Sequence, residues 1–99
     1  MRATHYGESY EGRPMGCGGI YRGGDAGIAA VGPGRYGEWP CGTRLFVNGP
    51  IGSIVVTRTD SCPGCSGQFA DLIDLSEAGH AAVCGPGGGT CRVTVTRID

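Results

Sequence analysis

The stretch RLFVNGPIGSIVVTRTDSCPGC, residues 44–65, contains the two clearest strands of the chain and the turn that joins them. Arg44 to Asn48 and Ile54 to Asp60 are short, β-branched runs bounded by Gly, Pro or Asn, which is typical of strands. The segment NGPIGS between them favours a hairpin turn. The stretch therefore predicts a β-hairpin followed by a short cysteine loop.

Further strands are predicted on both sides of this hairpin. The strongest is Arg92 to Ile98, in which Val alternates with Thr. Three weaker candidates are Arg2 to Tyr6, Gly27 to Val31 and Leu72 to Leu75. Only Ser76 to Val83 has a helical pattern, with Ser76 as N-cap and Cys84-Gly85-Pro86 as a stop. Six short strands and one helical turn predict an all-β fold in which a closed barrel removes exposed sheet edges.

The composition sets the size and class of the chain. A chain of 99 residues cannot divide its buried surface between two cores, so residues 1–99 are expected to form a single domain. The 21 glycines and 6 prolines are far above average usage, yet the apolar residues still gather into separate runs. The glycines therefore indicate turns between strands rather than disorder.

The charge pattern excludes several classes of partner. All 8 basic residues are Arg and the net charge is −1, so the basic face that nucleic-acid binding requires is absent. No apolar run approaches the roughly 18 residues of a membrane span. Met1-Arg2 leads directly into strand-like sequence, so we expect an export signal to have been removed. The protein is then expected to act outside the cell or in the periplasm. We also expect it to be a monomer.

Six cysteines in so short a chain indicate an oxidising compartment. The motif Cys-Pro-Gly-Cys could be a redox pair, half a zinc site or a structural ring. A redox pair opens a helix, whereas this motif precedes the loop SGQF, and the other close pair is separated by six residues, too many for a zinc knuckle. Structural disulfides are favoured, without metal or cofactor, and local pairing would give Cys17–Cys41, Cys62–Cys65 and Cys84–Cys91.

Four segments, in chain order, carry a resemblance to a known family: ATHYGESYEGRPMGCG, PCGTRLFVN, IVVTRTDSCPGC and LIDLSEAGHAAV. Together they resemble the six-stranded double-psi β-barrel of RlpA-like proteins and expansins, in the barwin-like superfamily, over nearly the whole chain. Proteins with this barrel include lytic transglycosylases that cut peptidoglycan, expansins that loosen walls without hydrolysis, family 45 endoglucanases and secreted papain inhibitors. The resemblance thus implies a fold more firmly than a reaction.

The resemblance implies two candidate catalytic acids. Asp60 ends its strand where expansins and RlpA-like enzymes carry the acid most closely tied to function. Cleavage of a glycosidic bond needs a carboxyl group that stays protonated near neutral pH, which partial burial favours by raising its pKa. The structural alternative is that Asp60 caps a turn by accepting N–H groups from Ser61 to Gly64.

The second acid, Asp74, lies in Ile-Asp-Leu-Ser and matches the Asp-Leu-Ser of expansins and of the endoglucanases, whose general acid lies there. A second carboxylate beside Asp60 would raise one pKa of the pair. The alternative is that Asp74 stabilises the positive start of the helix that Ser76 caps. Glu8 falls near the endoglucanase base but is expected to be a solvated loop acid.

Sugar-binding positions are implied in the same way. Thr4 and Tyr6 match polar and aromatic positions that line the expansin groove. Flat faces for sugar rings could also come from Tyr10, Tyr21, Tyr36 and Trp39. For Trp39 the alternative is a plug inside the barrel.

One departure from the family bears on function. RlpA-like enzymes carry a His shortly before the Gly-Thr strand, but GPGRYGEW has none, and His5 and His80 are expected to be surface or packing residues. This weakens the transglycosylase interpretation, and the absence of a carbohydrate-binding domain after Asp99 weakens the expansin one.

Three hypotheses remain. The first is an enzyme that cuts peptidoglycan or a related β-1,4 glycan through Asp60 with Asp74, and the second is a non-catalytic module that binds or loosens wall polysaccharide. The third is a secreted inhibitor of papain-type proteases that inserts loops such as Gly32 to Pro40. Whether the protein is an enzyme is left open by the sequence.

Overall fold

The computed structural model describes all residues, 1–99, and contains seven β-strands and one α-helix. The strands are β1 (Arg2–His5), β2 (Ile28–Val31), β3 (Arg44–Asn48), β4 (Ser53–Ser61), β5 (Leu72–Leu75), β6 (Cys91–Arg92) and β7 (Thr94–Arg97). The helix, α1, spans Glu77–Cys84. No helix in the protein is long and apolar enough to cross a membrane.

The strands form one sheet in the order β6-β1-β5-β2-β4-β3-β7. β1 pairs with β5 and β2 with β4 in parallel, and the remaining neighbours are antiparallel. The first and last strands of this order, β6 and β7, follow one another in the chain. The sheet therefore curls into a nearly closed barrel, which confirms the predicted all-β barrel with one short helix.

The strand count is seven rather than six because the predicted strand Arg92 to Ile98 is two strands. β6 pairs with β1 and β7 pairs with β3, which lie at opposite ends of the sheet order. Between them Val93 is buried, and its N–H donates to the Met1 carbonyl at 2.8 Å. The chain bends at this residue so that one short segment can join both margins of the barrel.

Two apolar clusters lie on opposite sides of the barrel wall. The larger one fills the interior and consists of Ala3, Ala29, Val31, Trp39, Leu45, Val47, Val56, Ile73, Leu75, Val83 and Val93. The smaller one lies outside, where Tyr6 and Tyr21 cover Ile28 and Ala30. Because side chains alternate along a strand, β2 contributes to both clusters and all four of its residues are buried.

The helix and the hairpin form where the sequence predicts them. The Ser76 hydroxyl caps α1 by accepting the Gly79 N–H at 3.1 Å, and the helix ends at Gly85, whose φ is 92°. In the hairpin, the Gly49 N–H donates to the Gly52 carbonyl at 2.9 Å. The helix ends at Cys84, one residue beyond the predicted Val83.

Three disulfides join Cys17 to Cys41, Cys62 to Cys65 and Cys84 to Cys91, the pairs that local pairing predicts. The Cys62–Cys65 loop packs against the residue after β2, because a Cβ placed on Gly32 would lie 1.8 Å from the Cys65 carbonyl oxygen. Only glycine allows this approach. The loop after β4 is thereby held close to the end of β2.

Candidate functional site

A single row of residues crosses four strands on the outer wall of the barrel. Ala30 on β2 is paired with Asp60 on β4 and with Asp74 on β5, and Asp74 is paired in turn with Thr4 on β1. The Cα atoms of the two acids are therefore two strand spacings apart, roughly 10 Å. Both acids line one open cavity of about 470 Å³, called the trough below.

A β-bulge gives Asp60 its place in this row. The pairing of β2 with β4 runs from Ala29↔Arg58 directly to Ala30↔Asp60, so Thr59 has no partner. Bulges commonly redirect a side chain beside a functional site. Here the bulge lets Arg58 turn inward while Asp60, two residues later, faces outward with Ala30.

Arg58 holds the bulged end of β4 from beneath. Its guanidinium is buried and donates to the Asp60 carbonyl at 3.0 Å and to the Ser61 hydroxyl at 2.8 Å. It also lies 4.7 Å from the centre of the Tyr36 ring, a cation–π contact. These contacts fix the backbone from which the Asp60 carboxylate projects.

The Asp60 carboxylate accepts three hydrogen bonds. Its donors are the Tyr6 hydroxyl at 2.6 Å, the Gly16 N–H at 2.7 Å and the Ser61 N–H at 2.8 Å. Burial, with the bond to Asp60, raises the pKa of Tyr6 far above its ordinary value, so Tyr6 keeps its proton and donates. Asp60 thus caps its turn through Ser61, as the structural alternative predicts, and also anchors the loop that contains Gly16.

Asp74 has a different environment. Its carboxylate accepts one hydrogen bond, from the Thr4 hydroxyl at 3.1 Å. Burial raises the pKa of Asp74, and the negative charge of Asp60 acts in the same direction, against the lowering effects of the Thr4 bond and of His5. The surroundings of Asp74 therefore favour a retained proton.

We expect Asp74→Asn to stabilise the protein at neutral pH. Because the pKa of Asp74 is higher in the folded than in the unfolded chain, the folded state binds more protons, and wild-type stability falls as pH rises from the unfolded pKa through the folded one. Asparagine does not ionise and still accepts the Thr4 hydrogen bond. Thermal melts should show a higher Tm for Asp74→Asn at pH 7 and equal values below pH about 3, where the wild-type acid is protonated in both states. A lower Tm for Asp74→Asn than for the wild type at pH 7 would contradict the expected stabilisation.

The rim of the trough consists of residues from two loops. Tyr10 is 47% exposed and stands edge-on to the Tyr6 ring, with centroids 5.6 Å apart. The Arg13 guanidinium lies 5.5 Å from the centre of the Tyr10 ring. The lining also includes Ser61 and the cysteine loop, with three residues that the sequence does not single out: Arg13, Pro14 and Ala30.

Two predicted sugar-binding aromatics lie elsewhere, which corrects the sequence interpretation. Trp39 is 5% exposed and belongs to the interior cluster, so the plug alternative applies. Tyr36 packs against the same cluster beneath the Arg58 guanidinium. The turn at Pro33–Arg35 folds this segment onto the barrel, so neither ring reaches the trough.

The remaining predicted binding residues differ in how far their side chains are exposed to the trough. Tyr10 presents an exposed ring, whereas Tyr6 is buried and contributes its hydroxyl to the floor. Thr4 reaches the trough through its bond to Asp74. Tyr21 is buried and stacks on Tyr6 with ring centroids 4.1 Å apart.

No protein-family model matches the chain. Among curated proteins, the uncharacterized protein ssl3177 of Synechocystis sp. is 37% identical over 98 residues, which span 97% of this chain and 94% of the relative. The chain therefore has a full-length relative in a cyanobacterium.

Solved structures with the same barrel include an expansin from Clavibacter michiganensis. A point mutant of that expansin in complex with cellohexaose is 29% identical with a TM-score of 0.71, and the apo form is 30% identical with a TM-score of 0.70. Each match covers 99% of this chain but only 48% of the expansin, so the chain spans about half the length of those proteins. A Streptomyces papain inhibitor is 23% identical with a TM-score of 0.64, over 94% of this chain and 90% of the inhibitor, and this likeness is one of fold.

Proposed function

Because the chain has the expansin-like double-psi β-barrel fold, we propose that it binds the β-1,4-linked glycan chains of a cell wall in the trough. The observation that carries the proposal is the row in which Ala30 separates Asp60 from Asp74, with the exposed ring of Tyr10 at the rim. The Clavibacter expansin that shares this barrel was crystallised with cellohexaose. The trough offers the chemistry that such a ligand requires.

Three kinds of contact would hold a glycan. The carboxylates accept hydrogen bonds from sugar hydroxyls, and the Arg13 guanidinium on the rim supplies donors. The Tyr10 ring offers an apolar face to the C–H face of a pyranose ring. Ala30 lies between the acids in the row and, with the Tyr6 ring that packs on it, forms a floor on which a flat chain can lie across the strands.

The bonding of Asp60 favours binding over cleavage as its role. All three of its protein bonds use the carboxylate as an acceptor, and the donors are the hydroxyl of the buried Tyr6, the N–H of Gly16 in a loop and the N–H of Ser61 at the end of β4. Such a carboxylate is a fixed acceptor for sugar hydroxyls. It is not placed as the proton donor that the sequence interpretation gives it.

Cleavage is the second candidate, and the raised pKa of Asp74 is the observation that favours it. In this reaction the Asp74 carboxyl donates its proton to the glycosidic oxygen as the C1–O bond breaks. For a lytic transglycosylase, the resulting carboxylate then accepts the proton of the sugar's own 6-hydroxyl, whose oxygen bonds to C1 and closes a 1,6-anhydro ring. Asp60 would supply the negative charge that stabilises the positive sugar carbon.

Tyr10→Ala tests the binding proposal. We expect the variant to bind insoluble cellulose or peptidoglycan sacculi about tenfold more weakly, because it loses the stacking face but no partner of either acid. Phe46→Ala is the matched control, since Phe46 is 40% exposed and lies on β3 outside the trough. Equal losses in the two variants would show nonspecific adhesion and contradict the proposal.

The same incubation separates binding from cleavage. Mass spectrometry of the supernatant should detect no soluble fragments if the domain only binds. Fragments with 1,6-anhydro ends that disappear in Asp74→Asn would instead support the second candidate, and reducing ends would indicate hydrolysis. Retention of the variant on the insoluble glycan controls for lost binding.

The remaining assignments follow from the disulfides and the fold. Three disulfides favour an oxidising compartment, so we place the protein outside the cell or in the periplasm. The likeness to the Streptomyces papain inhibitor is one of fold and fits the protease-inhibitor alternative, but within the loop from residue 32 to 40 Trp39 is committed to the interior. A secreted protease as partner stays a prediction, which a papain assay at micromolar protein tests.

A further inference from the structure

A second cavity, of about 270 Å³, lies where β1 ends beside α1. Its polar lining consists of His5, Glu8, Glu77 and His80, and the rest is Ala81 with residues 85–88, Gly-Pro-Gly-Gly. It shares no lining residue with the trough and contains neither Lys nor Arg. Its volume is below the roughly 300–1,000 Å³ of drug-sized sites, so only a compact group fits.

The carboxylates of this cavity are not neutralised. Of the 9 acidic residues in the chain, four form salt bridges with arginine: Glu11, Glu38, Asp71 and Asp99. Four of the other five line the two cavities, and Glu8 and Glu77 belong to this one. Unpaired carboxylates on a concave surface concentrate negative charge and attract a cation.

The tautomer of His5 is fixed by its neighbour. Its Nδ1 lies 2.8 Å from the Tyr6 carbonyl oxygen, which can only accept, so Nδ1 carries a proton and Nε2 is the ring nitrogen left to accept a hydrogen bond. A Cβ on Gly88 would lie 3.0 Å from that Nε2, and φ at Gly88 is +75°. Glycine at this position leaves the nitrogen uncovered.

His80 supplies an unsatisfied polar atom. It is 2% exposed, lines the cavity, and its Nε2 has no hydrogen-bond partner. Burial lowers the pKa of His80, so the ring is neutral at pH 7. Its centroid lies 5.0 Å from that of His5. Buried polar atoms without partners are rare and destabilising, so this nitrogen has an unused capacity to accept a hydrogen bond.

We propose that this cavity binds a primary ammonium group carried on a compact body, such as an amino sugar or an alkylamine. An ammonium group carries one positive charge and N–H donors. The negative charge of the two free carboxylates would attract it and the Nε2 lone pair of His5 would accept one of its hydrogen bonds, with a second imidazole beside it. No three His, Cys, Asp or Glu side chains are close enough together to hold a metal ion. The proposal does not depend on glycan binding in the trough.

NMR titration of the isotope-labelled full chain at pH 7 tests the proposal. Glucosamine should shift the signals of Glu77, His80 and Gly88 saturably, whereas glucose and N-acetylglucosamine, which lack the ammonium, should leave them unchanged at equal concentration. A parallel titration with n-butylammonium tests an ammonium group that carries no sugar ring. Shifts with both amines support recognition of the ammonium alone, and shifts with glucosamine alone support an amino sugar.

Variants add a second readout. Glu77→Gln should weaken glucosamine binding about fivefold, because an exposed carboxylate–ammonium pair contributes at most about 1 kcal/mol. Glu38→Gln removes an exposed carboxylate outside the cavity and should leave the affinity unchanged. Identical shifts with N-acetylglucosamine, no shifts with either amine, or equal losses in the two variants would each overturn the proposal.

Discussion

Asp60→Ala should lower the free energy of unfolding by about 3 kcal/mol, because it leaves the Tyr6 hydroxyl and two backbone N–H groups without their acceptor. The Tyr6 hydroxyl accounts for most of the cost, since its ring is buried under the loop, whereas the Gly16 N–H can bond to water. Urea denaturation at pH 7 measures the change, with the m-value as the check that both proteins unfold in one transition.

Asp60→Asn is the matched control for this prediction. Its Oδ1 can still accept from Gly16 and Ser61, and its amide can donate to the Tyr6 oxygen, so the expected loss is about 1 kcal/mol. Equal destabilisation by Ala and Asn would mean that charge, and not the acceptor geometry, holds this end of β4. No loss with Ala would show that Asp60 has no structural role.

Removal of the Cys17–Cys41 disulfide by Cys17→Ser with Cys41→Ser should have the second large effect, a loss of about 3.5 kcal/mol. The bond closes a loop with a sequence separation of 24, and loop closure in the unfolded chain becomes more costly with length. Cys17 also follows Gly16, so the variant should speed amide exchange at the N–H that Asp60 accepts.

The Cys84–Cys91 pair is the internal comparison, since its separation is only 7 and its removal should cost about 2.5 kcal/mol. This bond closes the loop beside the second cavity and does not touch the trough. A larger loss from the shorter loop would contradict the loop-closure account of both bonds. Glycan retention should fall only when the Cys17–Cys41 bond is removed.

The parts of the fold that depend on local pattern could be predicted from the sequence. The β-branched runs around NGPIGS predict the hairpin, and Ser76 before an alanine-rich segment predicts the start of α1. The bend at Val93 could not be predicted, because it depends on β6 pairing with β1 and β7 pairing with β3, which lie far away in the sequence.

The candidate site also combines features that the local sequence predicts with features that only strand pairing determines. Asp60 and Asp74 were identified from motifs, and the structure places both on the trough. Their meeting depends on a bulge at Thr59 and on Ala30 lying between them, which are properties of strand pairing and not of either motif. For Trp39 the sequence leaves the sugar-binding and plug alternatives open, because an aromatic residue in a glycine-rich loop has the same local signature whether it faces sugar or the interior.

Chemical-shift mapping with cellohexaose tests the central claim most directly. If the trough binds β-1,4 glycan, saturable shifts should centre on Ala30, Asp60 and Asp74 and extend to Tyr10, with the β3–β4 face around Val55 unaffected. Shifts centred on Phe46 and Val55, or none at millimolar cellohexaose, would contradict it.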